Sequence, residues 1–327
     1  MTLAISLPPS GLPLEQVPEY AREAEQLGYG SCWIAEVAGN DAFALGSAVA
    51  GPTTDMRIGT AVVPVNTRGP AMLAMSAATL DAVSGGRAVC GIGVSSPAIV
   101  TNWNDRPSDA PLRRARETVE VLRQAFTGQR VDYEGRCVRV RGYRMVPAPL
   151  RPVPIHLGAL NPRMLRLAGE VADGVVLNML GEAFVPEVLR HVRLGAESAG
   201  RDPAEIEVVI RLQTCVDEDE AAVRDGFARS FASYVIARGY AEFFSWQGFG
   251  DCVRGVREAF AARDREAARA AISDEMLDAL VVTGDAGRVR SRIQAYQAAG
   301  VTTPGVHALW PTPESAWHTM RSLAPAG

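Results

Sequence analysis

The strongest constraint on the fold is an alternation that runs the length of the chain, in which a short apolar segment is followed by a longer amphipathic one. The apolar segments are Leu3 to Leu7, Ser31 to Ala35, Ile58 to Val63, Ala88 to Gly91, Pro154 to Leu157, Gly174 to Asn178, Ile206 to Leu212 and Gly305 to Leu309. Helical stretches such as Leu14 to Leu27, Ala71 to Val83, Pro111 to Phe126 and Ala286 to Ala299 lie between them. Strands apolar on both faces belong to parallel sheets, whose crossover helices cover them. Eight such units predict a closed (β/α)8 TIM barrel; a doubly wound open sheet is the competing arrangement. At 327 residues, 47% of them hydrophobic, the chain suits a single barrel domain over 1–327 that carries insertions.

Two segments break the alternation. Residues 130–145 alternate apolar and polar types about a Glu-Gly pair, which predicts a hairpin inserted before the fifth strand. Residues 218–280 form a long helical insertion before the last βα unit. Its stretch "AFAARDREAARAAISDEMLDAL" mixes charge signs, as a solvated helix does. No repeat of solenoid period interrupts this pattern.

Several function classes fall away. The net charge of -4 gives no footing for nucleic acid or a membrane surface. All 33 basic residues are Arg, which removes Schiff-base lysine chemistry. The cysteines Cys32, Cys90, Cys137, Cys215 and Cys252 are odd in number and set mostly in apolar runs, so they are expected to be reduced, in a cytoplasmic protein. His156, His191, His307 and His318 show no metal-ligand spacing, and no metal is expected. The opening "MTLAISLPPSG" has no basic flank and too short an apolar run for export, and is expected to be the first strand.

In a parallel barrel the chemistry lies where strands end, at the C-terminal mouth. There the sequence places Glu36 and Asp41 after the second strand, Asn66 and Arg68 after the third, and "GIGVSSP" after the fourth. No nucleophile is paired with a histidine, which suits a cofactor shelf better than a hydrolytic triad. "GIGVSSP" lacks the third glycine of a dinucleotide turn, and Pro97 stands where that helix would already run. Its glycines read equally as close strand packing. In "GALNPRML", Asn161 is a helix N-cap type and Pro162 a first-turn residue, with Gly158 and Ala159 small enough to admit an anion to the free amides. The same pattern also describes a capped helix that holds nothing.

Five ordered pieces carry a resemblance: "WIAEVAGNDAF" (33–43), "RIGTAVVPVNTRGPAMLAMSAATLDAVSGGRAVCGIGVSSPAIVTNW" (57–103), "PIHLGALNPRMLRLAGEVADGVVLN" (154–178), "QGFGDCVRGVREAF" (247–260) and "GDAGRVRSRIQAYQAAGV" (284–301). On them the chain resembles the luciferase-like flavin monooxygenase superfamily, and within it the deazaflavin branch that uses coenzyme F420. The resemblance implies a (β/α)8 barrel, a homodimer, and a flavin-type ring across the mouth. It implies that Ala61 and Val62 form a bulge, often with a non-proline cis peptide, behind the ring. Gly158, Ala159, Leu160, Asn161 and Arg163 are expected at the cofactor phosphate, with Arg163 where relatives often carry Lys. Asn66, Ser95 and Ser96 complete the expected cofactor contacts. Val37 and Ser96 stand where sugar-phosphate dehydrogenases of this branch have an acid/base pair of His and Glu, so that reaction is not expected.

The expected activity is hydride transfer between F420 and a small organic substrate, with Glu36 as catalytic acid or base. Glu36 reads almost equally as a group that satisfies loop amides, and Asp41 as a helix cap rather than part of the substrate pocket. Trp103, Phe243, Phe244, Trp246 and Trp310 are candidate pocket walls. Two alternatives stay open: a monooxygenase using reduced FMN from a separate reductase, and a barrel that binds flavin without turnover.

Overall fold

A computed structural model describes residues 3–217, 219–309 and 312–325. Its strands are β1 (Ala4–Leu7), β2 (Ser31–Ile34), β3 (Arg57–Thr60), β4 (Val63–Pro64), β5 (Ala88–Gly93), β6 (Val131–Glu134), β7 (Arg139–Tyr143), β8 (Ile155–Gly158), β9 (Gly174–Asn178), β10 (Glu207–Val216), β11 (Val281–Gly284) and β12 (Thr303–Ala308). The order β1-β2-β3-β5-β8-β9-β10-β12 is parallel throughout and returns to β1, which pairs with both β2 and β12. That closure excludes the open sheet, which leaves two edges unpaired. The predicted hairpin is the antiparallel pair β6–β7.

One strand is not legible in the sequence. β11 pairs with residues 213–216 of β10, while β9 pairs with 207–211 and β12 with 209–214. Because β12 overlaps both, β11 must continue the edge that β9 occupies lower down. The four-residue run that forms it directly follows a helix and so reads as the end of the insertion.

The helices are α1 (Val17–Gln26), α2 (Ala42–Ala50), α3 (Pro70–Val83), α4 (Pro111–Phe126), α5 (Pro162–Val171), α6 (Val185–Ser198), α7 (Glu220–Ile236), α8 (Arg238–Trp246), α9 (Gly250–Ala261), α10 (Arg265–Ala270), α11 (Asp274–Leu280), α12 (Ala286–Ala298) and α13 (Pro313–Ser322). The predicted insertion is therefore the run α7 to α11. It has an apolar centre of its own, built on Phe227, Phe231, Phe244 and Met276, which joins the barrel through Cys215 and Val281. No helix of the described residues is long and apolar enough to cross a membrane.

Side chains two residues apart on a strand share a face, so the lumen reads off in layers. The middle layer is apolar: Ala4, Trp33, Ala61, Val89, Val176 and Val209, with Val62 packed against it. Trp33 fills the axis because Gly59 leaves it room; a Cβ there would sit 2.4 Å from the indole. Below lies a polar plug in which the Arg57 guanidinium donates to both oxygens of Glu207 at 3.1 and 2.8 Å. Thr303 Oγ1 donates to the same carboxylate at 2.6 Å. His156 lies 3.4 Å from it and stacks on Trp33 with ring centroids 5.2 Å apart. Burial, and next to it the neighbouring Glu207, set the His156 imidazole; burial prevails and lowers its pKa to about 4.

Candidate active site

The floor of the mouth is made where β3 breaks. β3 pairs with β5 at Ile58 and Gly59, and β4 resumes that pairing at Val63 and Pro64. Between them the Ala61–Val62 peptide is cis. Thr60 bridges the break with its side chain: its hydroxyl donates to the Gly91 carbonyl at 2.7 Å and accepts from the Gly91 amide at 2.8 Å. Gly91 has no space for a side chain, since a Cβ would fall 1.7 Å from the Thr60 carbonyl oxygen. Val62 lies against the other small residues of the floor, 2.5 Å from a Cβ at Gly93 and 3.2 Å from one at Gly158. The Gly-x-Gly of "GIGVSSP" thus serves close packing. Past it Ser95 adopts a left-handed φ of 57°, and the Ser96 hydroxyl accepts a long 3.5 Å contact from the Ile99 amide.

Beside this floor, β8 ends in the helix start that the sequence suggested. Asn161 caps α5, its side chain accepting from the Met164 amide at 3.1 Å. Asn161 and Arg163 are exposed, and Gly158 and Leu160 half-buried. Arg163 forms no ion pair among the described residues, and the Leu160, Asn161 and Arg163 amides have no acceptor among them. Free amides at a helix start and an unpaired guanidinium on its first turn are groups that could hold an anion.

Across the floor lies a cavity of about 320 Å³ lined by Glu36, Val37, Pro64, Thr67, Arg68, Ile99 and Asn104. Arg68 dominates it. Its fork meets Glu36 at 2.5 and 2.9 Å and reaches on to Asp41, while its guanidinium lies 5.4 Å from the Phe43 ring centroid. Glu36 also accepts from the Ala42 amide at 2.9 Å, and Asp41 from those of Phe43 and Ala44 at 2.9 Å. The two acids therefore cap α2 and hold Arg68, so the Glu36 carboxylate is occupied by three donors. Burial opposes the charge of Asp41, but the Ala44 amide and Arg68 outweigh it and lower its pKa.

The remaining expected residues scatter. Asn66 donates to the Pro107 carbonyl at 2.6 Å, and its own carbonyl oxygen is buried without a partner. Trp103, 60% exposed, ends a π-helix spanning Ala98–Trp103. Trp246 packs outside the barrel on Phe184 and His191, at centroid distances of 4.9 and 5.4 Å, instead of lining the mouth. Phe243 and Phe244 are fully buried core. Trp310 lies outside the described residues.

The sequence reading missed a polar rim on the far side of the mouth. Ser6, Asn178, Arg211, Gln213 and His307 stand one or two layers above the apolar floor on β1, β9, β10 and β12. Arg211 Nε donates to Ser6 Oγ at 2.7 Å, and Gln213 donates to Asn178 at 2.8 Å. Asn178 in turn donates to the Tyr240 hydroxyl at 2.9 Å, which brings α8 of the insertion over the mouth. Burial, then the nearby Arg211 charge, holds His307 neutral, well below its ordinary pKa. Burial raises the Tyr240 phenol to about 12. The available signal was an Arg and a Gln at period two within the apolar run "VVIRLQT".

Among the described residues no group of three or more His, Cys, Asp or Glu is placed to hold a metal ion. Residues 2–303 match the profile of the luciferase-like monooxygenases. The chain belongs to that family. Within the family, it is 29% identical over 309 residues to a 5,10-methylenetetrahydromethanopterin reductase of Methanolobus tindarius, covering 92% of each chain. It is also 29% identical over 311 residues to a provisionally described coenzyme F420-dependent oxidoreductase of Mycobacterium tuberculosis, covering 89% of this chain and 90% of the other. The same barrel is seen in the F420-dependent tetrahydromethanopterin reductase of Methanopyrus kandleri. That structure matches at a TM-score of 0.82 and 23% identity, over 99% of this chain and 97% of that one.

Proposed function

We propose that the chain is an F420-dependent oxidoreductase that transfers a hydride between the deazaflavin and a small organic substrate. The observation that carries this reading is that one end of the barrel combines an anion grip with open amides and an apolar floor at Ala61 and Val62. The provisional description of the mycobacterial relative as F420-dependent, alike over 89% of this chain and 90% of the other, supports it. The residues fit the cofactor: Gly158 to Arg163 would hold its phosphate, and Val62 would back its ring. When bound, F420 supplies the hydride-transfer chemistry. The chain's own part is to orient the two reactants and keep water out under the insertion, where Tyr240 meets Asn178. Glu36 acts on this reading by fixing Arg68 at the cavity wall, leaving Arg68 to face the substrate or ring edge. The same grip suits the phosphate of FMN, and the family's monooxygenases make reduced FMN, delivered by a separate reductase, the second reading.

Titration with F420 and FMN by fluorescence separates the two. Arg163→Ala is expected to weaken F420 binding about 5- to 10-fold, the worth of one charge-assisted contact. Asn161→Pro should do more, because it deletes an open amide and forces φ from -131° toward about -65°. Micromolar FMN binding with none for F420 would sink the first reading, and unchanged affinity in both variants would sink the phosphate grip.

We further infer that the enzyme is a homodimer through α2 and α3, in the cytoplasm, where its free cysteines stay reduced. The two helices contain one charged residue, Asp81, which is buried, yet expose Met72, Met75 and Val83. A solvent-facing pair of helices without charge suits contact with protein better than with water. Light scattering is expected to give twice the chain mass, falling to the monomer in Met72→Asp/Met75→Asp; a monomeric parent rules the interface out.

A further inference from the structure

The polar rim holds a charge that this chain does not neutralise. Arg211 is only 9% exposed, and no carboxylate acts on it among the described residues. Nε is taken by Ser6. The two terminal nitrogens bond to nothing described and are not among the occluded polar atoms, so they keep some accessible surface on the lumen-facing row that Val209 begins. A buried guanidinium without a counter-ion is costly unless a ligand completes it. The groups around it, Ser6, Asn178, Gln213, Tyr234, Tyr240 and the imidazole of His307, include no carboxylate.

We propose that Arg211 recognises the carboxylate of the substrate, so that the enzyme acts on a small monocarboxylic acid whose hydrocarbon part lies over the floor at Ala61 and Val62. This rests on the mouth being the reaction site. Charge matching selects the class. One guanidinium balances one negative charge, and its planar fork fits two coplanar oxygens. A phosphate dianion would call for a second cation, but Arg57 lies in the lower layer paired with Glu207, and Arg68 at the cavity wall is already balanced by Glu36 and Asp41. The chain has no Lys to supply one. Asn178 and Gln213, already fixed by each other and by Tyr240, stand next to Arg211 to orient the bound group.

The test uses benzoate, benzamide and phenylphosphonate as probes, titrated calorimetrically into the parent, Arg211→Met and Arg211→Lys, with F420 saturating the anion grip and again without it. Benzoate is expected to bind the parent at least about tenfold tighter than benzamide and to lose about tenfold in Arg211→Met, with Arg211→Lys between them. Benzamide should be indifferent to both substitutions. Without ligand, Arg211→Met should melt at or above the parent's temperature, because it removes an uncompensated buried charge. Equal binding of benzoate and benzamide, or no binding of either at millimolar concentration, overturns the proposal. So does tighter binding of phenylphosphonate, which would point to a dianion. A fall in F420 affinity in Arg211→Met that matches the fall for benzoate would place Arg211 at the cofactor instead. An Arg211→Met chain that does not fold would make the residue structural. Failure of F420 to bind any of the three proteins counts against the proposed cofactor alone, since the probe series without F420 still reports on Arg211.

Discussion

A Gly91→Ala chain is expected to be less stable than the parent by about 3 kcal/mol or more, read as a shift of the urea midpoint at constant slope. The added carbon would lie 1.7 Å from a backbone oxygen, that of Thr60, which cannot swing aside as a long side chain would. Relief requires β3 and β5 to part. Parting would break both hydrogen bonds that the Thr60 hydroxyl exchanges with Gly91, and with them the join that seats the Ala61–Val62 floor. Cofactor affinity should therefore fall even where the variant still folds. Gly51→Ala is the matched control: it is exposed, has open space around it, and should change stability by less than about 0.5 kcal/mol. A Gly91→Ala chain as stable as Gly51→Ala would mean that the strands do not approach as described.

Acid should destabilise the barrel before its carboxylates titrate. His156 has a folded pKa of about 4 against an ordinary value of 6.5, so the unfolded chain binds the proton first. Its contribution is complete above about pH 6.5 and is lost as pH falls toward 4, to a total of roughly 3 kcal/mol. His307, also held neutral by burial and Arg211, adds in the same direction. Glu207 acts below this window: burial opposes its charge, but Arg57 and His156 outweigh burial and lower its pKa. Urea midpoints between pH 7 and 4.5 should fall steadily, and the fall should be smaller in His156→Gln. A flat profile over that range would show that neither histidine is buried in its neutral form.

The parts legible in the sequence were those set by local periodicity and local capping. Eight apolar runs separated by amphipathic helices specify the barrel, and Asn161-Pro162 specifies where α5 begins. The rest depended on contacts between residues far apart in the chain. That Glu36 would be filled by Arg68 follows only once the loops after β2 and β4 meet. Arg211 and Ser6 touch across 205 positions, and nothing local to either announces the other. The aromatic residues of α8 misled for a related reason: helical spacing sends Tyr240 toward the mouth and Trp246 toward α6, and only the placement of α8 decides which is which.

The position of β11 also bears on how the insertion is joined to the barrel. β10 leads into the helical insertion at Val216, and β11 comes out of it parallel to β10 with Val281 level with Gln213, so exit lies three residues below entry and roughly 11 Å from it. To the barrel, the whole excursion is one crossover between neighbouring parallel strands. A cassette attached in this way can be lengthened, shortened or replaced without disturbing the ring of strands beneath it. Replacing it would change the roof over the mouth, where Tyr240 meets Asn178, and leave the floor at Ala61 and Val62 in place.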